Sequence, residues 1–235
     1  MASLKDLTAV ITGASSGIGR AIAEELAGLG VHLHLLGRDR ARLAAAVDGC
    51  RAHGVRAEGH AADLTDDGAL ALMVDKLGSV DILVHSAGVA DLGKLAESGV
   101  DVLDHHYQVN LRAPYALTRA LLPALLEAKG QVVFINSGAG LNARVGWGAY
   151  AISKFGLRAF ADALRDEVKP AGVRVLTAYP GRTATPMQAH VRAQEGVEYD
   201  PSGYIQPADV SAVICNALAL PRSADVIEVN IRQGT

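Results

Sequence analysis

The chain is predicted to fold as an α/β protein, a doubly wound, seven-stranded parallel sheet in a single domain. Three observations predict it. Short apolar runs alternate with helical stretches from start to finish, and the first run leads straight into a glycine-rich turn. Half of the 235 residues are hydrophobic and only 4% aromatic, with Ala, Val and Leu dominating. That balance favours buried strands and closely packed helices over a repeat array or a disordered chain. Strands separated by helices imply a parallel sheet covered on both faces.

Residues 7–12 form a short apolar strand ending at a glycine, and 17–29 follow as a helix. Residues 31–36 read as the second strand and 40–53 as a helix. The stretch 55–61 is strand-like, 66–77 helical, and 80–85 another apolar strand. A long helical region, 98–129, is interrupted by Pro114 and Pro123, which cannot donate to a helical ladder. Residues 131–136 are a strand, 147–170 contain a helix, and 173–178 are a strand again. The stretch 181–206 mixes Gly, Pro, Met and both charges, and reads as irregular. Pro207 opens a final helix reaching about 220, and 226–231 close as a strand. No proline-rich or charged linker divides the chain, so 1–235 is read as one domain.

A net charge of −3 and a pI near 6.2 give no electrostatic reason to expect nucleic acid or an anionic membrane as partner. Cys50 and Cys215 lie far apart and outside any metal-ligand spacing, so both are read as reduced thiols and no metal is expected. The first six residues carry charge where a signal peptide needs an apolar core. No apolar run reaches about 18 residues. The expectation is a soluble, cytoplasmic protein.

Two constellations carry chemistry. The first is Thr12-Gly13-Ala14-Ser15-Ser16-Gly17-Ile18-Gly19, set between a strand and a helix. Gly13 permits a sharp exit from the strand, and Gly17 lets a pyrophosphate approach backbone N–H groups at the helix N-terminus. Gly19 lets that helix pack closely on the sheet. Ser15, Ser16 and Ile18 complete the cofactor-binding turn. The second is Ser137 with Tyr150 and Lys154. Tyr150 and Lys154 are four apart and share one helix face. A tyrosine is a poor acid–base group near pH 7, with an ordinary pKa of about 10, and a nearby cation is expected to bring it down. Ser137 ends a strand, at the edge where such sheets place ligands, and its hydroxyl would hold a substrate carbonyl oxygen beside Tyr150. With glycine spacing, the Tyr/Lys pair and the upstream serine taken together, coincidence supplies about 0.002 such sets per chain. Hydride transfer to a carbonyl leaves an alkoxide that needs a proton, and this set can provide one.

With these residues in this order, the chain resembles the short-chain dehydrogenase/reductase family over essentially its whole length. Three residues between the first two glycines are characteristic of that family. Asp63-Leu64, His85-Ser86-Ala87-Gly88, Asn110 and Pro180-Gly181 also fall at family positions. The resemblance implies a Rossmann-like sheet of order 3-2-1-4-5-6-7 with a nucleotide cleft at the strand C-termini. Residues 1–180 would serve mainly cofactor binding and catalysis. Asp63, beside Leu64, would face the adenine, and Ala87-Gly88 would face the adenosine ribose and the centre of the cofactor. Lys154 would also bond the nicotinamide ribose, while Asn110 would fix a helix distortion and a water relaying protons through Lys154. Pro180 fixes a turn and Gly181 permits close approach. Thr183 or Thr185 would bond the carboxamide, with family spacing favouring Thr185.

Where the family commonly has Asn-Asn-Ala-Gly, this chain has His85, expected to be a packed, hydrogen-bonded structural histidine. The resemblance puts Arg38 at a phosphate-binding position, and Arg40 adds to a basic rim. NADP(H) is therefore favoured over the plainer reading, in which Arg38 is a solvated loop residue and Asp39 caps the next helix, with NAD(H) the alternative should Asp39 turn inward. The stretch 181–206 is expected to act as a substrate lid, with Met187, His190, Val191 and Tyr199, together with Trp147, as candidate pocket lining. The expected reaction is reduction of a small-molecule carbonyl or oxidation of an alcohol. The alternatives are a non-catalytic NADP-sensing protein, an NAD-dependent alcohol dehydrogenase, and an epimerase or dehydratase that keeps its cofactor. The helices at about 98–129 and 147–169 resemble those that pair between subunits in the family, implying a homodimer or homotetramer. The segment 228–235 lacks the Gly-Gly pair that many members carry.

Overall fold

A computed structural model describes residues 3–234. Met1, Ala2 and Thr235, the outer ends of the two terminal stretches considered above, lie outside the described residues. Chain order is β1 (Thr8–Thr12), α1 (Gly17–Gly28), β2 (His32–Gly37), α2 (Arg40–Arg51), β3 (Ala57–Ala61), α3 (Asp67–Val74) and β4 (Ile82–His85). It continues with α4 (Val100–Tyr107), α5 (Ala113–Glu127), β5 (Gln131–Ile135), α6 (Gly148–Val168), β6 (Arg174–Pro180), α7 (Pro186–Gln194), α8 (Pro207–Leu218) and β7 (Glu228–Ile231). The strands form one parallel sheet in the order β3-β2-β1-β4-β5-β6-β7, the Rossmann-like arrangement expected.

Alternate residues of each strand feed opposite cores. Ala9, Ile11, Leu33, Leu35 and Val84 pack under α1, α2 and α8. Val10, Leu36, Leu83 and Phe134 pack under α3, α5 and α6. Local chemistry sets the helix starts. Asp39 accepts from the Arg42 N–H to begin α2, and Asp66 accepts from Gly68 and Ala69 to begin α3. Pro207 opens α8 behind a reciprocal bond pair between Gln206 and Asp209.

Two expectations need correction. The stretch 181–206 is not irregular throughout. Thr185 caps α7 by accepting from Gln188 N, Pro186 occupies the first turn, and a short 3₁₀ turn follows at Pro201–Gly203. Thr followed by Pro is itself a helix-start signal, and it outweighs the mixed composition of the residues beyond. The long region 98–129 is divided at neither proline. A π-helical segment, Gln108–Arg112, separates α4 from α5. Pro114 sits in the first turn of α5, where its N–H is not needed, and Pro123 is accommodated within that helix.

His85 is packed as anticipated. It is 2% exposed, its Nε2 lies 2.8 Å from Thr118 Oγ1, and its ring stacks on Phe134 at 5.0 Å between centroids. The bond runs to α5, so the side chain fastens the sheet to a helix. Burial pushes its pKa down to about 3. Replacing it by alanine opens a cavity and orphans Thr118, so His85→Ala should cost about 2–4 kcal/mol at pH 7 in chemical denaturation. The unfolded chain protonates this group near 6.5 and the folded one only near 3. The native advantage is therefore full above pH 6.5, and the measured cost should shrink as pH falls towards 3.

Candidate active site

The C-terminal ends of all seven strands border one cleft of about 880 Å³. It lies across the point where the chain leaves β1 for both β2 and β4, the usual ligand crevice of such sheets. Gly13 has φ +67°, and a Cβ there would lie 2.7 Å from Ala87 N. Thr12 Oγ1 accepts from Ser86 N and Ala87 N at 3.0 and 3.1 Å, locking the two turns together. Gly19 does not line the cleft; a Cβ there would lie 2.5 Å from Gly13 O, so its role is to let α1 dock. Gly13, Ser15, Ser16, Gly17 and Ile18 form the floor. Ser16 makes no side-chain cap, so the first amides of α1 face the cleft with the positive end of the helix dipole. A glycine-rich turn over free amides fits a pyrophosphate.

Arg38, Asp63, Leu64, Ala87 and Gly88 also line the cleft. Gly37 is pinned there as well, because a Cβ would meet Ser15 at 3.2 Å. Asp39 lines the cleft as well, between Arg38 and Arg42. It caps α2 and accepts from Arg42 Nε at 2.6 Å, and the Arg42 N–H and guanidinium hold its carboxyl below the ordinary carboxylate range. The rim is formed by exposed Arg38 and by Arg42, while Arg40, the residue expected beside Arg38, does not line the cleft. Thr65 donates two bonds to Asp63, and this, with the Arg38 charge, holds Asp63 anionic.

At the other end Ser137, Tyr150 and Lys154 share the cleft wall. Ser137 N donates to Asn136 Oδ1 at 2.8 Å, and Asn136 Nδ2 donates to Lys154 O at 3.1 Å. This bridge joins β5 to α6 and sets the serine against the Tyr–Lys face. Tyr150 is 6% exposed, with Trp147 and His106 rings each 5.9 Å from its own. Lys154 Nζ donates to Ile135 O at 3.1 Å. Asn110 stands behind the wall in the π segment. Its Oδ1 accepts from Val89 N at 2.9 Å, and its Nδ2 donates to Val89 O and Ser153 Oγ, both at 3.0 Å. A π turn carries an extra residue that presents such a group inward.

The electrostatics run against one expectation. Burial raises the Tyr150 pKa, opposed only by its hydrogen bond with Ser137, and burial lowers that of Lys154 to about 8. Lys154 still carries most of its charge near pH 7, so its position rather than loss of charge limits its pull on Tyr150. Nζ is also held 5.9 Å from the Tyr150 ring centroid, aimed at a carbonyl.

Pro180, Gly181, Thr183 and Thr185 border the same cleft. Thr183 Oγ1 donates to Gly181 O at 3.1 Å, while Thr185 Oγ1 is engaged as the α7 cap. Of the lining candidates, Trp147, Met187, His190 and Val191 reach the cleft. Tyr199 is not part of the lining; it stacks on Tyr204 at 5.6 Å, drawn away by an aromatic partner. Several contributors were not legible in advance. Asn142, Arg144 and Arg232 line the cleft, and His190 Nε2 meets Asp91 Oδ1 at 2.8 Å. Arg182 makes a two-pronged pair with Glu195 at 2.8 and 2.6 Å and lies 5.8 Å over Trp147. No periodicity or motif marks such long-range partners.

Comparison with known proteins agrees with this geometry. A family profile described as short chain dehydrogenase matches residues 7–196. Glycine betaine reductase ATRR of Emericella nidulans is 35% identical over 97% of this chain, which spans 19% of that relative's own length. A metagenomic short-chain oxidoreductase solved in complex with NADP superposes with a TM-score of 0.85 at 33% identity, covering 100% of both chains. An actinorhodin polyketide ketoreductase solved with NADPH gives a TM-score of 0.87 at 28% identity, covering 99% of this chain and 98% of that one. With the glycine cradle, the sheet order and the cleft wall all in place, the chain belongs to the short-chain dehydrogenase/reductase family of oxidoreductases.

Proposed function

We propose that the protein interconverts a small-molecule carbonyl and its alcohol using NADP(H). The observation that carries the reading is the single wall on which buried Tyr150 meets Ser137 and Lys154, facing the glycine cradle across one cleft. A bound nicotinamide supplies or accepts the hydride. Ser137 Oγ orients the substrate oxygen, and the Tyr150 hydroxyl gives that oxygen its proton in reduction or takes it back in oxidation. Lys154 anchors the tyrosine's helix face to β5 and, in this reading, bonds the nicotinamide ribose. Asn110 holds the Val89 backbone and the π turn behind the site, keeping a proton route to Lys154 open. Thr185, with Thr183 beside it, recognises the carboxamide.

NADP(H) is preferred in this reading because Arg38 and Arg42 stand on the rim, and the carboxylate of Asp39, which also lines the cleft, is paired with Arg42. The NADP and NADPH bound by the two structural relatives support the same choice. The stretch 181–206, with α7 at its centre, acts as the substrate lid. Exposed Tyr107, Tyr115, Ile152 and Phe155 on the α4–α5 and α6 faces support a homodimer or homotetramer.

Three outcomes are expected. Tyr150→Phe should lower turnover by about 10²–10⁴-fold while NADPH affinity stays within a few-fold; substantial residual turnover removes the proton-transfer role. Arg38→Ala should weaken NADPH by about tenfold or more in a fluorescence titration and leave NADH nearly unchanged; equal losses would overturn the NADP assignment. Lys154 titrates near 8 when folded and near 10.5 when unfolded, so its native contribution is complete above 10.5 and is lost as pH falls to 8. Relative to Lys154→Met, the native chain should therefore gain stability across that window, by at most about 3 kcal/mol, in denaturant titrations at a series of pH values.

A further inference from the structure

We infer that His34, Glu58 and His60 form a binding site for a divalent transition metal at the outer edge of the sheet, remote from the cleft. The parallel register sets His34 directly opposite Glu58, and His60 lies two residues further along β3. All three side chains therefore emerge on one face. The ligand atoms lie within 4.8 Å of one another, and His34 Nδ1 is 3.0 Å from His60 Nε2. Two imidazole nitrogens bound at about 2.0–2.1 Å to a tetrahedral zinc are separated by about 3.3 Å, so the pair needs little rearrangement to accept an ion.

The surroundings suit a cation rather than a packed core. On the opposite face of the same strands, Leu33, Leu35 and Ala57 are buried in the α1–α2–α8 core. On this face His34 and His60 are half-buried while Glu58 is exposed. Two half-buried imidazoles and a carboxylate make a mixed N/O set. It favours zinc, nickel or copper over magnesium, which takes oxygen ligands and holds its waters. Arg56 and Lys76 lie near enough to disfavour a positive charge on the imidazoles, and Glu58 opposes them; burial keeps both rings neutral, the form that ligates.

Without metal, one proton lies in the His34–His60 contact. Binding requires only that this proton move to the outer nitrogen of its own ring, which frees both facing lone pairs and releases no net proton. The ion would fasten the outermost strand to its neighbour. Arg38 follows His34 by four residues and Asp63 follows His60 by three, so the clamp grips the strand pair that carries the adenosine side of the cleft.

The test uses the full chain, stripped with a chelator and titrated with ZnCl₂ by calorimetry, with MgCl₂ as the hard-cation comparison. One equivalent of zinc should bind, magnesium should not, and the midpoint of thermal unfolding should rise with zinc. His34→Gln and His60→Gln should each weaken zinc by more than about tenfold, since even an outer-shell partner of a ligand is worth that much. Long-range ¹H–¹⁵N spectra of the native chain's imidazoles give a readout that needs no variant. Zinc should shift His34 through Nδ1 and His60 through Nε2 together. Absence of zinc binding, equal binding by the His34→Gln/His60→Gln double variant, or movement of other histidines in place of these two would overturn the assignment.

Discussion

The close approach of two backbone turns, Gly13 after β1 and Ala87 after β4, is the constraint on which the rest of the molecule depends. A side chain at Gly13 would overlap the Ala87 amide, and the positive φ there excludes most residues independently. Once these turns touch, Thr12 Oγ1 bonds both amides beyond β4, and the two middle strands diverge around a crevice. The α1 N-terminus then points into that crevice with its amides free. The floor of the site is thus a consequence of chain crossing at the centre of the sheet, and the absence of a side chain at Gly13 is its essential property.

The opposite wall is held by a second set of long-range bonds. Asn136 reaches across to the Lys154 carbonyl, Lys154 reaches back to the Ile135 carbonyl, and Asn110 pairs with both groups of Val89. Each of these buried polar groups is satisfied, so β5, α6 and the π turn are locked into one register. Tyr150 and Ser137 owe their positions to that lattice. Its cost is desolvation: a tyrosine raised in pKa and neutral near pH 7, beside a lysine lowered to about 8 that still carries most of its charge there.

Position along the chain conveyed some of this in advance and not the rest. The glycine turn, Ser137, Tyr150 and Lys154 are legible because each requires a particular residue type at a particular spacing. His85 could be assigned to packing because a lone histidine in an apolar strand has few other fates. The Asp39 cap of α2 was legible as an aspartate just before a helical run, but its ion pair with Arg42 was not, because that is chosen by side-chain geometry at the start of α2. The Arg182–Glu195 pair, and the withdrawal of Tyr199 onto Tyr204, leave no trace in local pattern.

The family resemblance implied the strand order; by itself, the sequence determined the alternation of strands and helices, the parallel sheet, the glycine turn and the candidate residues Ser137, Tyr150 and Lys154. Those features follow from periodicity, from backbone freedom at glycine and from chemistry that few residue types can perform. Only the tertiary structure decided that the break between α4 and α5 is a π turn around Asn110, that 186–194 is helical, and that burial outweighs the lysine's charge at Tyr150. It also decided that two histidines 26 positions apart come within 3.0 Å at the sheet edge. Each depends on which distant groups exclude water from a side chain or answer its hydrogen bonds, and that is fixed only when the layers close.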